Sequence, residues 1–358
     1  MEKESEPKLL SPKKMLTIEK YNRFMKIAGK LSGNYSVIST NPLIFYVTRS
    51  RNPVSGFKDS YQFLFENIRN HAAYFLCNWC WHIEEPQHIE VVKELEQELL
   101  QLYPNLIFFH LCNTLRQTEV FQAHQLNAIF CNQNCFLDER IFNSLPNIEK
   151  KYDAVYDARF VKFKRHFLAS EIDNLALIYA QTSFDEYNAD YTIETKKLFS
   201  NAHYFDHSES GKYVGLKIKG INQCLNECRV GLCLSAVEGA MYASGQYLLS
   251  GLPVVSTKSL GGRDVFFDER YTIIVEATPQ AVKHGIEDLV NRHISPDFVR
   301  QNTLEKIKIH RQRFIDVVQS IFDSEGIERD FQDEWNTIFF DKLVKTQSHI
   351  ETLKRLNL

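Results

Sequence analysis

Hydrophobic and polar positions along this chain follow two alternating patterns. Short apolar runs rich in β-branched and aromatic residues, at 35–39, 43–48, 73–79, 106–109 and 128–131, read as strands. Longer amphipathic stretches at 16–31, 60–69, 86–102 and 115–124 read as helices between and before them. Strands separated by such helices form a parallel, helix-covered sheet, so residues 16–150 are expected to make a Rossmann-like unit. Polar, turn-like residues 134–147 close it. A second unit, 151–300, repeats the pattern with strands at 154–156, 175–180, 230–235, 253–257 and 271–275. Its helices are expected to begin near 195 and to run over 218–227, 240–249 and 278–292. Residues 301–358 carry apolar positions at helical spacing, among them Phe314, Val317, Ile321, Phe331, Trp335 and Phe339, and read as helices throughout. The polar first 15 residues read as a disordered tail.

The stretch from Cys233 to Asp268 concentrates the chemistry. An apolar run ends at Ser235, Glu238-Gly239 opens a helical segment, Gly251 and Pro253 end it, and Pro253-Val254-Val255-Ser256-Thr257 is the next buried strand. Strand C-termini and helix N-termini of a parallel sheet favour anions, because unpaired N–H groups and the helix dipole point there. Glu238 and Gly239 are therefore placed where a phosphate would arrive, although an acid at a helix start also serves simply to complement the dipole. Upstream, Arg159 ends another strand and Lys164 follows five residues later. Two cations at a strand end suit a departing pyrophosphate.

Glu238-Gly239, Gln246 eight positions after Glu238, Gly251-Leu252-Pro253-Val254-Val255 and the Arg159/Lys164 spacing together resemble the retaining nucleotide-sugar glycosyltransferases of the GT-B fold, glycosyl transferases group 1 or family 4-like. The resemblance covers about residues 153–290; the first half matches only in architecture. It implies an α/β fold with two Rossmann-like domains facing a cleft and C-terminal helices crossing back to the first domain. It implies transfer of a sugar from a nucleotide diphosphate sugar to a glycan, polysaccharide or lipid-linked acceptor hydroxyl, with no cofactor and no metal. In its terms Arg159 and Lys164 clamp the diphosphate, Glu238 binds the sugar hydroxyls, Gly239 and Ala240 offer backbone N–H groups, and Gln246 meets the ribose. A first-domain histidine faces the donor sugar. His82 and His110 both end strands, and His110, followed by Asn113 and Thr114, is preferred for the catalytic set of Glu238, Arg159, Lys164 and His110. Two departures stand out: the family has Glu where this chain has Gln246, and Gly where it has Met241. They motivate the alternative of a catalytically inactive GT-B-fold protein that binds a nucleotide sugar or glycan; a sugar-nucleotide epimerase is a weaker third option.

Composition narrows the setting. A net charge of −3 over 358 residues gives no electrostatic case for nucleic acid. No signal-peptide pattern and no apolar run near 18 residues is found, so a cytoplasmic protein is expected, with peripheral contact at the inner membrane face as an open variant. The eight cysteines include Cys77-x-x-Cys80 near His82 and the pairs Cys131/Cys135 and Cys224/Cys228. They lie in apolar runs and read as buried thiols rather than zinc ligands.

Overall fold

The computed structural model describes residues 31–49, 53–180, 189–339, 343 and 345–358. The expected tail and all but the last residue of the helix expected over 16–31 lie outside them. Two six-stranded sheets form the molecule. In the first half, β1 (Ser32–Thr40) pairs antiparallel with β2 (Leu43–Arg49). From β2 the chain repeats strand and helix: α1 (Pro53–Ile68), β3 (Ala73–Trp79), α2 (Pro86–Leu102), β4 (Leu106–Cys112), α3 (Leu115–Ala123) and β5 (Ala128–Phe130). Strands β2 to β5 are parallel neighbours in that order.

The second half contains β6 (Tyr152–Asp157), β7 (Leu175–Ile178), α4 (Ala189–Leu198), β8 (His203–Tyr204), α5 (Ile218–Asn226), β9 (Cys228–Cys233), α6 (Tyr242–Leu249), β10 (Val254–Thr257), β11 (Thr272–Val275) and α7 (Pro279–Asn291). Its spatial order is β11-β10-β9-β6-β7-β8, all parallel. The chain lays down β6, β7 and β8 in one direction, then returns to place β9 beside β6. The junction of β6 and β9 is thus the switch point of the sheet, where the flanking loops diverge and leave a crevice.

The last segment ties the halves together. Helix α8 (Pro296–Ser324) is followed by α9 (Phe331–Ile338), a short strand β12 (Thr346–Ser348) and α10 (His349–Leu356). Phe314 of α8 packs edge-on to Tyr46 and Phe136 of the first half. The α8 residue Arg311 donates to the carbonyls of Cys135 and Leu137 and pairs with Glu139. Strand β12 pairs with β1, and Tyr35 stacks on His349 of α10. One apolar core runs from Tyr46 and Leu76 through Phe136 and Phe314 to Val230, Leu248 and Val254.

Several expectations about elements need correction, among them helix α1, which begins at Pro53 rather than near 60. Helix α4 ends at Leu198 instead of beginning near 195. The tail is not helical throughout, since 346–348 completes the edge of the first sheet. Helix α6 starts at Tyr242, because Met241 adopts the left-handed conformation (φ 49°) and breaks the helical path before it. Residues 134–138, the start of the stretch expected to be polar and turn-like, are almost wholly buried.

Candidate active site

The two loops leaving the switch point bring the sequence-selected charges together. After β6 the chain turns through a short 3-10 segment, Lys162–Lys164, and Arg165 follows in the left-handed region at φ 51°. The Tyr156 hydroxyl donates to the Lys164 carbonyl at 2.5 Å, and the Asp157 N–H donates to the Tyr247 hydroxyl at 2.6 Å. Beneath this turn His166 is buried against the edge of Phe160, with Nδ1 3.2 Å from the Tyr191 hydroxyl. Burial drives its pKa down to about 3, so the ring is neutral. The turn projects Lys164 toward the loop after β9, where its ammonium donates to the Glu238 carboxylate. Both side chains are buried.

The Glu238 loop is fixed by the loop after β10. The Glu238 N–H donates to the Leu260 carbonyl at 3.0 Å, and the Gly262 N–H donates to the Gly239 carbonyl at 2.5 Å. Gly261, at φ 99°, is required there: a β-carbon would lie 1.8 Å from the Glu238 carbonyl oxygen. Arg263 is fully buried and donates to the Ser235 carbonyl and the Ser256 hydroxyl, each at 2.8 Å, and also to the Thr257 carbonyl. Arg165 donates to the Leu234 carbonyl and the Thr257 hydroxyl, each at 2.6 Å. Two guanidinium groups therefore hold the C-terminal ends of β9 and β10. Neither role was read from the sequence; the Gly261-Gly262-Arg263-Asp264 run was its nearest signal.

The first half closes directly over this loop. A β-carbon on Gly239 would stand 2.5 Å from the Cys80 carbonyl oxygen, so the two backbones touch. Trp81 packs edge-on to Phe163, centroids 5.0 Å apart. Asn132 donates to the Gly262 carbonyl at 2.7 Å, and Asn134 donates to the Ala240 carbonyl at 2.7 Å. Arg159 lies near Cys80. Of the cysteines, Cys80 alone is exposed.

The sequence-selected residues thus divide. Lys164 and Glu238 meet, with Gly239 and Ala240 beside them in the loop before α6 rather than at its first turn, and Arg159 lies near Cys80 of the first half. Gln246 lies within α6 and is buried. His110 is the correction. It is fully enclosed, its ring stacked on Trp79 and tilted against Phe121, with Nε2 2.8 Å from the Glu96 carboxylate. Arg49 shares that carboxylate at 3.2 Å. Desolvation works to raise the Glu96 pKa, but His110 and Arg49 outweigh it and hold the carboxyl below its usual range. Alternation along β4 turns His110 to the face covered by α2, away from the loop of Glu238. His82 lies on the β3–α2 loop near Glu84 and Glu85. Among the described residues no group of three or more His, Cys, Asp or Glu could hold a metal ion, and no helix is long and apolar enough to cross a membrane.

Two helix-covered parallel-type sheets meeting at strand C-termini, bound together by C-terminal helices, have counterparts among solved structures. HepE from Anabaena, crystallised with UDP, superposes with a TM-score of 0.51 at 12% identity, over 76% of this chain and 84% of that one. The chain has the GT-B fold. Sucrose-phosphate synthase from Thermosynechococcus elongatus aligns at a TM-score of 0.51 and 10% identity over 88% of this chain and 81% of its own. The pneumococcal O-GlcNAc transferase GtfA, in complex with UDP and GlcNAc, aligns at 0.52 and 14% identity over 77% of this chain and 57% of its own. No family model and no curated protein matches by sequence. In GT-B terms the crevice just described is the cleft between the two domains, and the Lys164–Glu238 pair lies within it.

Proposed function

We propose that this protein is a retaining glycosyltransferase that moves a sugar from a nucleotide diphosphate sugar to an acceptor hydroxyl on a glycan, polysaccharide or lipid-linked saccharide. The observation that carries this reading is the meeting of Lys164 and Glu238 at the switch point, where a parallel sheet binds its ligand. Arg159 and Lys164 hold the diphosphate and neutralise charge as it departs. Glu238 bonds the sugar hydroxyls, the Gly239 and Ala240 backbone faces the phosphates or sugar, and Gln246 meets the ribose. In the transfer step the bond from the anomeric carbon to the diphosphate oxygen breaks and a bond to the acceptor oxygen forms on the same face. The acceptor proton passes to the departing phosphate, so the scheme needs no protein nucleophile and assigns no step to His110 or to a metal.

UDP is the first diphosphate to test, since HepE and GtfA were both crystallised with it. A ligand at a hundred times its Kd stabilises by about 2.7 kcal/mol. UDP, GDP, ADP and CMP should therefore separate in a thermal-shift series. One diphosphate should raise Tm in the native protein and fail to do so in Arg159→Ala. Absence of any shift, or an undiminished shift in Arg159→Ala, overturns the donor assignment. The inactive-binder reading draws on Gln246 and on Glu238 being engaged by Lys164. It is preferred if the diphosphate binds but no new glycoside forms; an isomerised donor would indicate the epimerase.

A further inference from the structure

Arg165 occupies a backbone conformation that a side chain disfavours. It stands between two short 3-10 turns, Lys162–Lys164 and His166–Ala169, and its φ of 51° lies in the left-handed region. Glycine would hold that φ without strain, so the turn by itself gives no reason for a residue with a β-carbon here. What the guanidinium reaches supplies the reason. Its Nε donates to the Leu234 carbonyl and its Nη2 to the Thr257 hydroxyl, each at 2.6 Å. The Thr257 hydroxyl in turn donates to the same Leu234 carbonyl at 3.2 Å. The three groups close a ring across the C-terminal ends of β9 and β10.

The left-handed residue also decides where its neighbour goes. Because the chain reverses at 165, two consecutive cationic side chains reach opposite ends of one short segment: Lys164 bonds the Glu238 carboxylate, and Arg165 bonds the carbonyl of Leu234. The turn is thereby fastened to residues 234–238 at both ends, and the Tyr156 hydroxyl holds it from below through the Lys164 carbonyl. The two cations are engaged in different ways. Lys164 meets a carboxylate through a flexible four-carbon stem that does not fix its own direction. Arg165 meets a carbonyl and a hydroxyl through a planar fork, which fixes the turn that carries that stem.

Resting on the glycosyltransferase reading, we infer that Arg165 is a positioning residue for the donor diphosphate: by fastening the turn to the ends of β9 and β10 it presents the Lys164 ammonium to the phosphates and to Glu238. It acts through Lys164 and does not itself contact the donor. Charge alone does not replace it, because a lysine at 165 lacks the rigid fork that spans the Leu234 carbonyl and the Thr257 hydroxyl.

The test measures UDP binding to the full chain by titration calorimetry, with Tm recorded beside it; GDP or ADP takes the place of UDP if the native chain selects one of them. Arg165→Gly relaxes the backbone while removing the guanidinium, so Tm should stay within a few degrees of the native value. The UDP Kd should nevertheless rise about tenfold. Arg165→Lys, which keeps the charge, should weaken UDP as much. Thr257→Val, close in shape and outside the turn, removes one arm of the ring and should give a smaller loss in the same direction. In a Lys164→Ala background, Arg165→Gly should change the UDP Kd by less than about twofold, since the side chain that it positions is gone. Arg165→Lys that binds UDP like the native chain overturns the proposal, because position 165 would then supply charge and nothing more. So do losses that multiply in the double variant, which would make Arg165 and Lys164 independent. An Arg165→Gly protein with a sharply lowered Tm and an unchanged Kd would leave Arg165 a structural tie alone, and sinks the positioning role while the donor reading stands. A native chain that binds none of the three diphosphates sinks the donor reading itself.

Discussion

Lys164 and Glu238 satisfy each other in the free protein, and that choice shapes how a donor would enter. Removing one partner of a buried ion pair costs about 3–5 kcal/mol, because the other charge is left uncompensated. In the proposed complex a diphosphate would share the Lys164 ammonium with Glu238, so the pair need not be broken for the carboxylate to accept from sugar hydroxyls. Gln246 is one of the two positions where the chain departs from the motif, and it is buried. Gln246→Glu places a carboxylate where solvent is excluded, so the free variant should melt at a lower temperature. If ribose hydroxyls meet this side chain, the carboxylate gains charge-assisted bonds only when donor is bound. The UDP-induced rise in Tm should then be at least as large as in the native protein; a smaller rise removes Gln246 from the ribose. At this scale the Arg159/Lys164 and Glu238-Gly239 motifs could be picked out because each is local in the chain, and the fold brings Lys164 to Glu238 across 74 positions. Arg165 and Arg263 were not, since each bonds carbonyls at strand ends that only the folded sheet brings near. His110 was misread because a strand end does not reveal which face its side chain takes.

Elements with strong periodicity were read almost to the residue. Helix α2 and strand β3 fall at their expected limits, since an amphipathic stretch between a proline start and a following strand leaves little freedom. Strand β12 was invisible because its three residues have no periodicity and exist only by pairing with β1. The start of α6 moved because Met241, Gly239 and Ala240 answer to the other half, through Cys80 and Asn134, rather than to helix propensity. Gly239 tests this contact between elements. A methyl group 2.5 Å from the Cys80 carbonyl cannot be absorbed by a flexible side chain, so Gly239→Ala should force the β3–α2 loop away from the Glu238 loop. Maleimide labelling of Cys80, the exposed thiol, should accelerate and the UDP-induced Tm rise should shrink. Gly220→Ala in α5 is the control, where the nearest atom is 3.9 Å away and helix propensity favours the change. Unchanged labelling in Gly239→Ala would show that the two loops do not close on each other in solution.

Because one core runs through both sheets and α8, stability belongs to the whole chain, and its dependence on pH follows from histidines that this core keeps neutral. His166 is held down to about 3, chiefly by burial. His310 of α8 is held down to about 4, again by burial first, with Arg313 adding to it. It lies between the rings of Phe130 and Phe266, and its Nδ1 accepts from the Asn132 N–H at 3.2 Å. An unfolded histidine titrates near 6.5. Above that value neither state holds the proton and these groups leave stability unchanged. Below it the unfolded chain binds protons that the folded chain refuses, so stability falls as pH falls, by about 1.4 kcal/mol per pH unit for each histidine. The loss ends near pH 4 for His310 and near pH 3 for His166. Urea unfolding from pH 8 to pH 4.5 should therefore give a flat plateau down to about 6.5 and a steepening decline below it. The carboxylates Glu96 and Glu139, both held low, contribute only at the acid end of that range. His310→Gln should remove one histidine's share of the slope. It should also spare the Asn132 bridge to Gly262, because Gln can still accept from the Asn132 N–H. A plateau that extends to pH 5 in the native protein would mean that both rings take up protons without loss, and that the core joining the halves is wetter than this packing allows.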